Sequence, residues 1–351
     1  MPRYDPPVSE RLDSFRKLAG EEVTTQASER NSKEDARDVD LDQSTTKPSS
    51  SIDFTPYLRE PKYTLDDVIL PKDTREQVDS VLAEIEYQDL IYNEWGMGET
   101  HKLDKAISIN FSGPPGTGKT LAAEAVADAL KLKILIVPYD QLESKYVGET
   151  PKNIVNAFRF ATEQKALLFF DEADSFLGKR LENVSQATDT AVNLTRSVMI
   201  TQLSAYEGIV VFATNLIRNY DPAFISRIRW KVAFELPDEK AREAIWKAQI
   251  PSKLPLDDDV DFAKLASDFG EISGRDIKNA VLKAVVSAAR ENKLRSEKKV
   301  TQSHFGQAIA EVVESNKACV QQEIKLVPVK ENVQLPSLPM ALDNSEQQSQ
   351  S

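Results

Sequence analysis

The stretch GPPGTGKT, residues 113–120, constrains this chain more than any other. Its spacing, G-x-x-x-x-G-K-[ST], lies between the apolar run AISINFS (106–112) and the helix-forming run TLAAEAVADAL (120–130). The chain must therefore pass from a buried strand through a tight loop into a helix, a setting in which backbone N–H groups and a helix N-terminus surround phosphate groups. Gly113, Gly116 and Gly118 let the backbone approach a phosphate closely, and Pro114, Pro115, Thr117 and Leu121 complete the loop and the entry to its helix. Lys119 is expected to reach the β- and γ-phosphates, and Thr120 to ligate Mg²⁺.

A second element fits the first. ALLFFDEADSF (166–176) reads as a buried strand ending in two acids. Asp171 would arrive at the C-terminal edge of the sheet to hold Mg²⁺, directly or through water, and Glu172 would polarise an attacking water.

Around these motifs, short apolar runs at 106–112, 132–139, 166–171, 208–214 and 230–236 alternate with helical periods. Nearly continuous hydrophobic strands between helices predict an α/β fold, a parallel sheet covered on both faces. After ELPDEK the strands stop and helical patterns follow (AREAIWKAQI, DVDFAKLASDF, SGRDIKNAVLKAVVSAARENK, VTQSHFGQAIAEVVE). The expected organisation is an α/β domain over 56–236 and a small all-helical domain over 237–317. Residues 1–55, crowded with polar and charged groups, are expected to be a disordered arm, and 318–351 a mobile tail. Leu12, Phe15 and Leu18 share one helical face within that arm, a short pattern that fits either a docking segment or no function at all.

Composition narrows the function classes. The formal net charge of -12 over 351 residues argues against a domain held on nucleic acid by phosphate neutralisation. Cys319 is the single cysteine and cannot form an internal disulfide, and His101 and His304 are too far apart in the chain to suggest a metal site. No apolar run is long enough to span a membrane, and the N-terminal MPRYDPPVSERLDSF resembles neither a signal peptide nor a transit peptide, so a cytoplasmic protein is expected. No HExxH is present, which sets aside a built-in zinc protease.

GPPGTGKT, FFDEAD, ATN (213–215), DPAFISRIR (221–229) and SGRDI (273–277) occur in an order and spacing similar to those of the AAA family of ATPases, over roughly residues 60–315. The resemblance implies a P-loop α/β nucleotide-binding domain followed by a helical lid. It further implies ATP and Mg²⁺ as cofactors, ATP hydrolysis, a hexameric ring, and remodelling of other macromolecules. By position, Asn215 resembles the polar sensor that orients water near the γ-phosphate. Asp67 and Val68 fall where the family's adenine pocket begins, and Val68 would pack on the base or in the core.

The finger segment departs from the family's usual two arginines three apart. DPAFISRIRWKVAFELPD is about two residues shorter, and aligning its ends puts Arg227 on the first finger position, whereas counting from Asp221 without a gap puts Arg229 there. Arg227 is the preferred candidate and Arg229 the reserve. In the lid, Arg275 stands where many members carry alanine and resembles a second sensor reaching the γ-phosphate.

Lys145, Tyr146, Val147 and Gly148 match the aromatic–hydrophobic–glycine step that family members turn toward the axial channel, implying a grip on an extended polypeptide. Residues 182–193 occupy the place of a second pore loop. The leading expectation is a ring-forming motor acting on a protein substrate or adaptor. The alternative is a nucleotide-dependent assembly switch or scaffold without threading.

Overall fold

The computed structural model describes residues 52–100, 106–138, 142, 149–174, 187–215 and 220–326, with backbone alone at 187–191 and 319–326. Its centre is a six-stranded sheet. In chain order the strands are β1 (Leu58–Arg59), β2 (Ile107–Ser112), β3 (Lys133–Val137), β4 (Ala166–Phe170), β5 (Ile209–Thr214) and β6 (Trp230–Ala233). The spatial order is β1-β3-β4-β5-β2-β6, and every pairing is parallel except that of β1 with β3. The five strands expected from the apolar runs are all present, each within the span expected. β1 was not expected: two residues are too few to leave a periodic signal.

Continuous burial along β4 and β5 follows from cover on both faces. On one face, α1 (Lys72–Glu86) and α3 (Lys119–Ala129) pack Val78, Val81, Ala122 and Val126 against Ile109, Phe111, Phe169 and Val211; between them lies a short α2 (Met97–Thr100). On the other, α4 (Glu149–Gln164) and α5 (Ala187–Ala205) pack Ile154, Phe158, Met199 and Leu203 against Phe170 and Phe212. The Phe170 and Phe212 rings stack across neighbouring strands at 5.4 Å. Phe54, which the composition placed in the arm, is 2% exposed and belongs to this second core, so the folded chain starts ahead of residue 56.

β6 is an edge strand, and α1 shields its open side. Thr74 Oγ1 donates to the Ala233 carbonyl at 2.9 Å, and the Ala233 N–H donates to Gln77 Oε1 at 3.1 Å. A short α6 (Pro222–Ile225), capped by the Asp221 carboxylate, precedes this strand.

After β6 come α7 (Glu239–Ala248), α8 (Phe262–Asp268), α9 (Gly274–Arg290) and α10 (Gln302–Leu326). Asp238, Asp261 and Ser273 cap the first three, each accepting a bond from a backbone N–H of the first turn. Trp246, Phe305, Ile277 and Ala280 form the core of this helical group, and the buried Arg242 joins its loops by donating to the carbonyls of Pro237, Ala266 and Gly270. α10 continues to Leu326, past residue 318 where the polar composition suggested that a tail begins. Straight-chain residues such as Gln321, Gln322 and Lys325 read as tail by polarity yet are good helix formers.

Candidate functional site

Strand order reverses beside β2: the chain leaves β2 toward β3 on one side and leaves β5 toward β6 on the other. In open α/β sheets a ligand crevice forms at such a point, at the C-terminal ends of the strands. The candidate residues from 113–121, 171–172 and 215 gather there. The Gly113 N–H donates to the Thr214 carbonyl at 3.2 Å, and the Ala173 N–H donates to the Ala213 carbonyl at 2.9 Å, so β5 ties the phosphate loop to the acidic turn.

Gly118 caps α3 at φ 97, a left-handed conformation that glycine adopts without strain, and a Cβ built there would meet nothing within 4 Å. Thr117 Oγ1 closes the loop onto the Pro114 carbonyl at 2.9 Å. Pro114, Pro115 and Leu121 are exposed around it.

Lys119 is 8% exposed, and its Nζ donates to the carbonyls of Gly113 and Pro114, each at 2.8 Å, and to Asn215 Oδ1 at 2.9 Å. All three protons of the ammonium are thus engaged, two by the loop itself and one by Asn215, and a phosphate would have to replace some of these acceptors. Burial pulls its pKa down from 10.5 to about 8; Asp171 and Asp174 oppose that shift and the Arg275 charge adds to it. Lys119 and Arg275 therefore repel each other across one space, the situation that a bound anion relieves.

Thr120 Oγ1 donates to Asp171 Oδ2 at 3.3 Å. A hydroxyl and a carboxylate beside a phosphate loop suit Mg²⁺, which takes one or two carboxylates, substrate phosphates and several waters. Glu172 follows with φ 52, left-handed for a residue with a side chain, and its N–H donates to Asp171 Oδ1 at 3.0 Å. That turn separates the two acids, placing Asp171 on Thr120 and leaving Glu172 exposed.

Two residues at this site escaped the sequence reading. Asp174 accepts from Thr214 Oγ1 at 3.0 Å and from the Asn215 N–H at 3.4 Å, so it orients the end of β5 that carries Asn215. Its position three residues after Asp171 was the available signal. Ser273 stands against the loop: a Cβ at Gly116, where φ is 79, would meet Ser273 Oγ at 2.6 Å and Arg275 Cβ at 2.8 Å. With the Arg275 N–H donating to the Gly116 carbonyl at 3.3 Å, the first turn of α9 closes over the loop.

Val68 is 7% exposed among Val78, Val81 and Ala122, the core alternative raised for it. The two arginines differ. Arg229 Nη1 donates to Glu84 Oε1 at 2.6 Å in a largely buried pair, whereas Arg227 rests on Ser204 Oγ at 3.3 Å and the Ala223 carbonyl at 2.8 Å. Arg227 also lies beside Ser108, five residues before the phosphate loop on β2, and so about 16 Å from that loop at strand rise. Lys145, Tyr146, Val147 and Gly148 lie outside the described residues, as do residues 182–186, whereas 187–193 form the start of α5. Among the described residues no helix is long and apolar enough to cross a membrane, and no cluster of three or more metal-binding side chains occurs.

Residues 109–236 match the model of the ATPase family associated with various cellular activities (AAA). Relatives include a 26S proteasome regulatory subunit 6B homolog of Encephalitozoon cuniculi, 32% identical over 219 residues that cover 60% of this chain and 55% of the relative. The 26S proteasome regulatory subunit 8 of Caenorhabditis elegans is 35% identical over 211 residues, 58% of this chain and 49% of the relative. A proteasome-activating nucleotidase of Methanocella arvoryzae is 33% identical over 228 residues, 63% of this chain and 53% of the relative. The chain spans about half the length of these curated relatives.

Proposed function

We propose that the chain, whose residues 109–236 match the AAA family of ATPases, is a member of that family, and that it binds ATP with Mg²⁺, hydrolyses it, and uses the cycle in a hexameric ring to unfold or remodel protein substrates through an axial pore. The observation that carries the nucleotide part is the convergence of Lys119, Asn215, Thr120 and Asp171 at one sheet edge, held by direct contacts. The names of the proteasomal relatives support the remodelling part. A protein substrate or adaptor is the partner, nucleic acid is not, and the cytoplasm is the compartment.

In this reading Lys119 exchanges loop carbonyls for phosphate oxygens, and Thr120 and Asp171 would hold Mg²⁺, which would supply neutralising charge to the phosphates. Glu172 takes the proton of the attacking water, and Asn215, fixed by Asp174, orients that water. Arg275 approaches the phosphates from the lid, and Arg227 approaches those of a neighbouring subunit.

Two results are expected. Phosphate beside Lys119 raises its pKa again, so above about pH 8 the protein takes up a proton on binding ATP, and affinity falls by up to about tenfold per pH unit. Calorimetry in buffers of different ionisation heat measures this uptake, and affinity that is flat from about pH 7 to 9.5 would contradict it. Without nucleotide the sign is opposite: between about 8 and 10.5 the unfolded chain holds the extra proton, so the contribution of Lys119 to stability rises with pH.

Tyr146→Ala separates threading from switching. Basal ATP turnover should persist while unfolding of a fluorescent protein substrate falls by about tenfold or more, the scale of losing an aromatic anchor. A variant that keeps its whole substrate-directed activity would favour the assembly switch instead.

A further inference from the structure

The segment from Ser226 to Arg229 joins α6 to β6 and carries Arg227; Ser108, remote in sequence, holds its backbone, and Glu84 holds the side chain of Arg229. Ser108 on β2 is 2% exposed; its Oγ donates to the Arg227 carbonyl at 2.8 Å and accepts the Arg229 N–H at 3.0 Å. The β2–β6 ladder begins one residue later, at Ile109 opposite Trp230. A side-chain hydroxyl thus supplies the pairing where backbone pairing has not yet started.

From the other side, Glu84 on α1 is 9% exposed and its carboxylate accepts from three groups: Arg229 Nη1 at 2.6 Å, the Tyr92 hydroxyl at 2.7 Å, and Trp230 Nε1. Burial and the bond to Glu84 push the Tyr92 hydroxyl up to about 12, so it remains a donor at any working pH.

The chain that follows Arg227 is therefore fixed, its backbone by Ser108 and the side chains of Arg229 and Trp230 by Glu84, while the Arg227 guanidinium rests on partly exposed acceptors, Ser204 Oγ and the Ala223 carbonyl. A charged group on a rigid base with a releasable tip is the arrangement for delivering it to an external target. We propose that Ser108 and Glu84 are positioning residues for Arg227, setting the geometry in which it meets the nucleotide of a neighbouring subunit. This rests on reading Arg227 as that neighbour's finger. Because Ser108 lies on the strand that runs into this chain's own phosphate loop, one hydroxyl would join the site a subunit owns to the arginine it lends.

A double-mutant cycle tests it, with single-turnover hydrolysis of radiolabelled ATP as the rate and fluorescent-nucleotide titration as the affinity. Ser108→Ala should slow hydrolysis by about 10- to 100-fold, the scale of a small misplacement of a catalytic group, with nucleotide affinity unchanged. In the Arg227→Ala background the same substitution should cost nothing further. Glu84→Gln, which keeps the shape of the side chain, should show the same pattern and serves if Ser108→Ala fails to fold. Equal losses in both backgrounds, or a loss of nucleotide affinity, would overturn the proposal in favour of a purely structural role. Full activity in Arg227→Ala itself would remove the finger reading, and the clamp with it.

Discussion

Arg227→Ala is expected to lower ATP turnover by about 10³- to 10⁵-fold while leaving nucleotide affinity near that of the unaltered protein. The size follows from the charge that builds on the phosphoryl oxygens during transfer, which a guanidinium stabilises far better than water. The unchanged affinity follows from geometry, since Arg227 sits beside Ser108, about 16 Å along β2 from its own phosphate loop, and has no part in binding there. Arg229→Ala should behave differently. It leaves Glu84 with the donors of Tyr92 and Trp230 but without its cation, so the main loss is one of stability, about 1.5–3 kcal/mol, and turnover falls by no more than the about 10- to 100-fold of a misplaced Arg227. Turnover assays and denaturant melts on the two variants separate the roles. Should Arg229→Ala lose turnover at full stability while Arg227→Ala keeps it, the two assignments exchange.

That contrast also shows where sequence reading stops. Counting along DPAFISRIR left both arginines as alternatives, because nothing local distinguishes them. Their partners are 145 residues apart in one case, Glu84 to Arg229, and 119 in the other, Ser108 to Arg227. Motifs confined to one strand–loop–helix passage, GPPGTGKT and FFDEAD, were legible because chain geometry alone places their residues around a phosphate. The five apolar strands were legible because burial on both faces leaves an unbroken hydrophobic run. β1 and the entry of Phe54 into the core were not, since a two-residue strand and a lone aromatic carry no period. The approach of Ser273 and Arg275 to Gly116 was only half legible: SGRDI marked a helix start with an arginine, but the closeness of that start to the loop exists only once the sheet and the helices have packed.

Glu172→Gln is the second large effect expected: hydrolysis falls by about 10²- to 10⁴-fold, with ATP still bound. The amide keeps the size of the side chain and its turn, whose N–H bond to Asp171 belongs to the backbone, so Thr120 and Asp171 retain their arrangement. What disappears is the ability to accept a proton from water. Three acids stand at this edge. Asp171 is engaged by Thr120 and by the Glu172 N–H, and Asp174 by Thr214 and Asn215. Glu172 is exposed, and its carboxylate holds no hydrogen bond among the described residues, which leaves it the acid best able to take on a water. Equilibrium binding of labelled ATP alongside a phosphate-release assay checks both halves. Normal release would move the base to Asp174 and predict that Asp174→Asn, not Glu172→Gln, stops the reaction. Loss of binding instead would mean that the left-handed turn at Glu172, rather than its carboxylate, is what the site depends on.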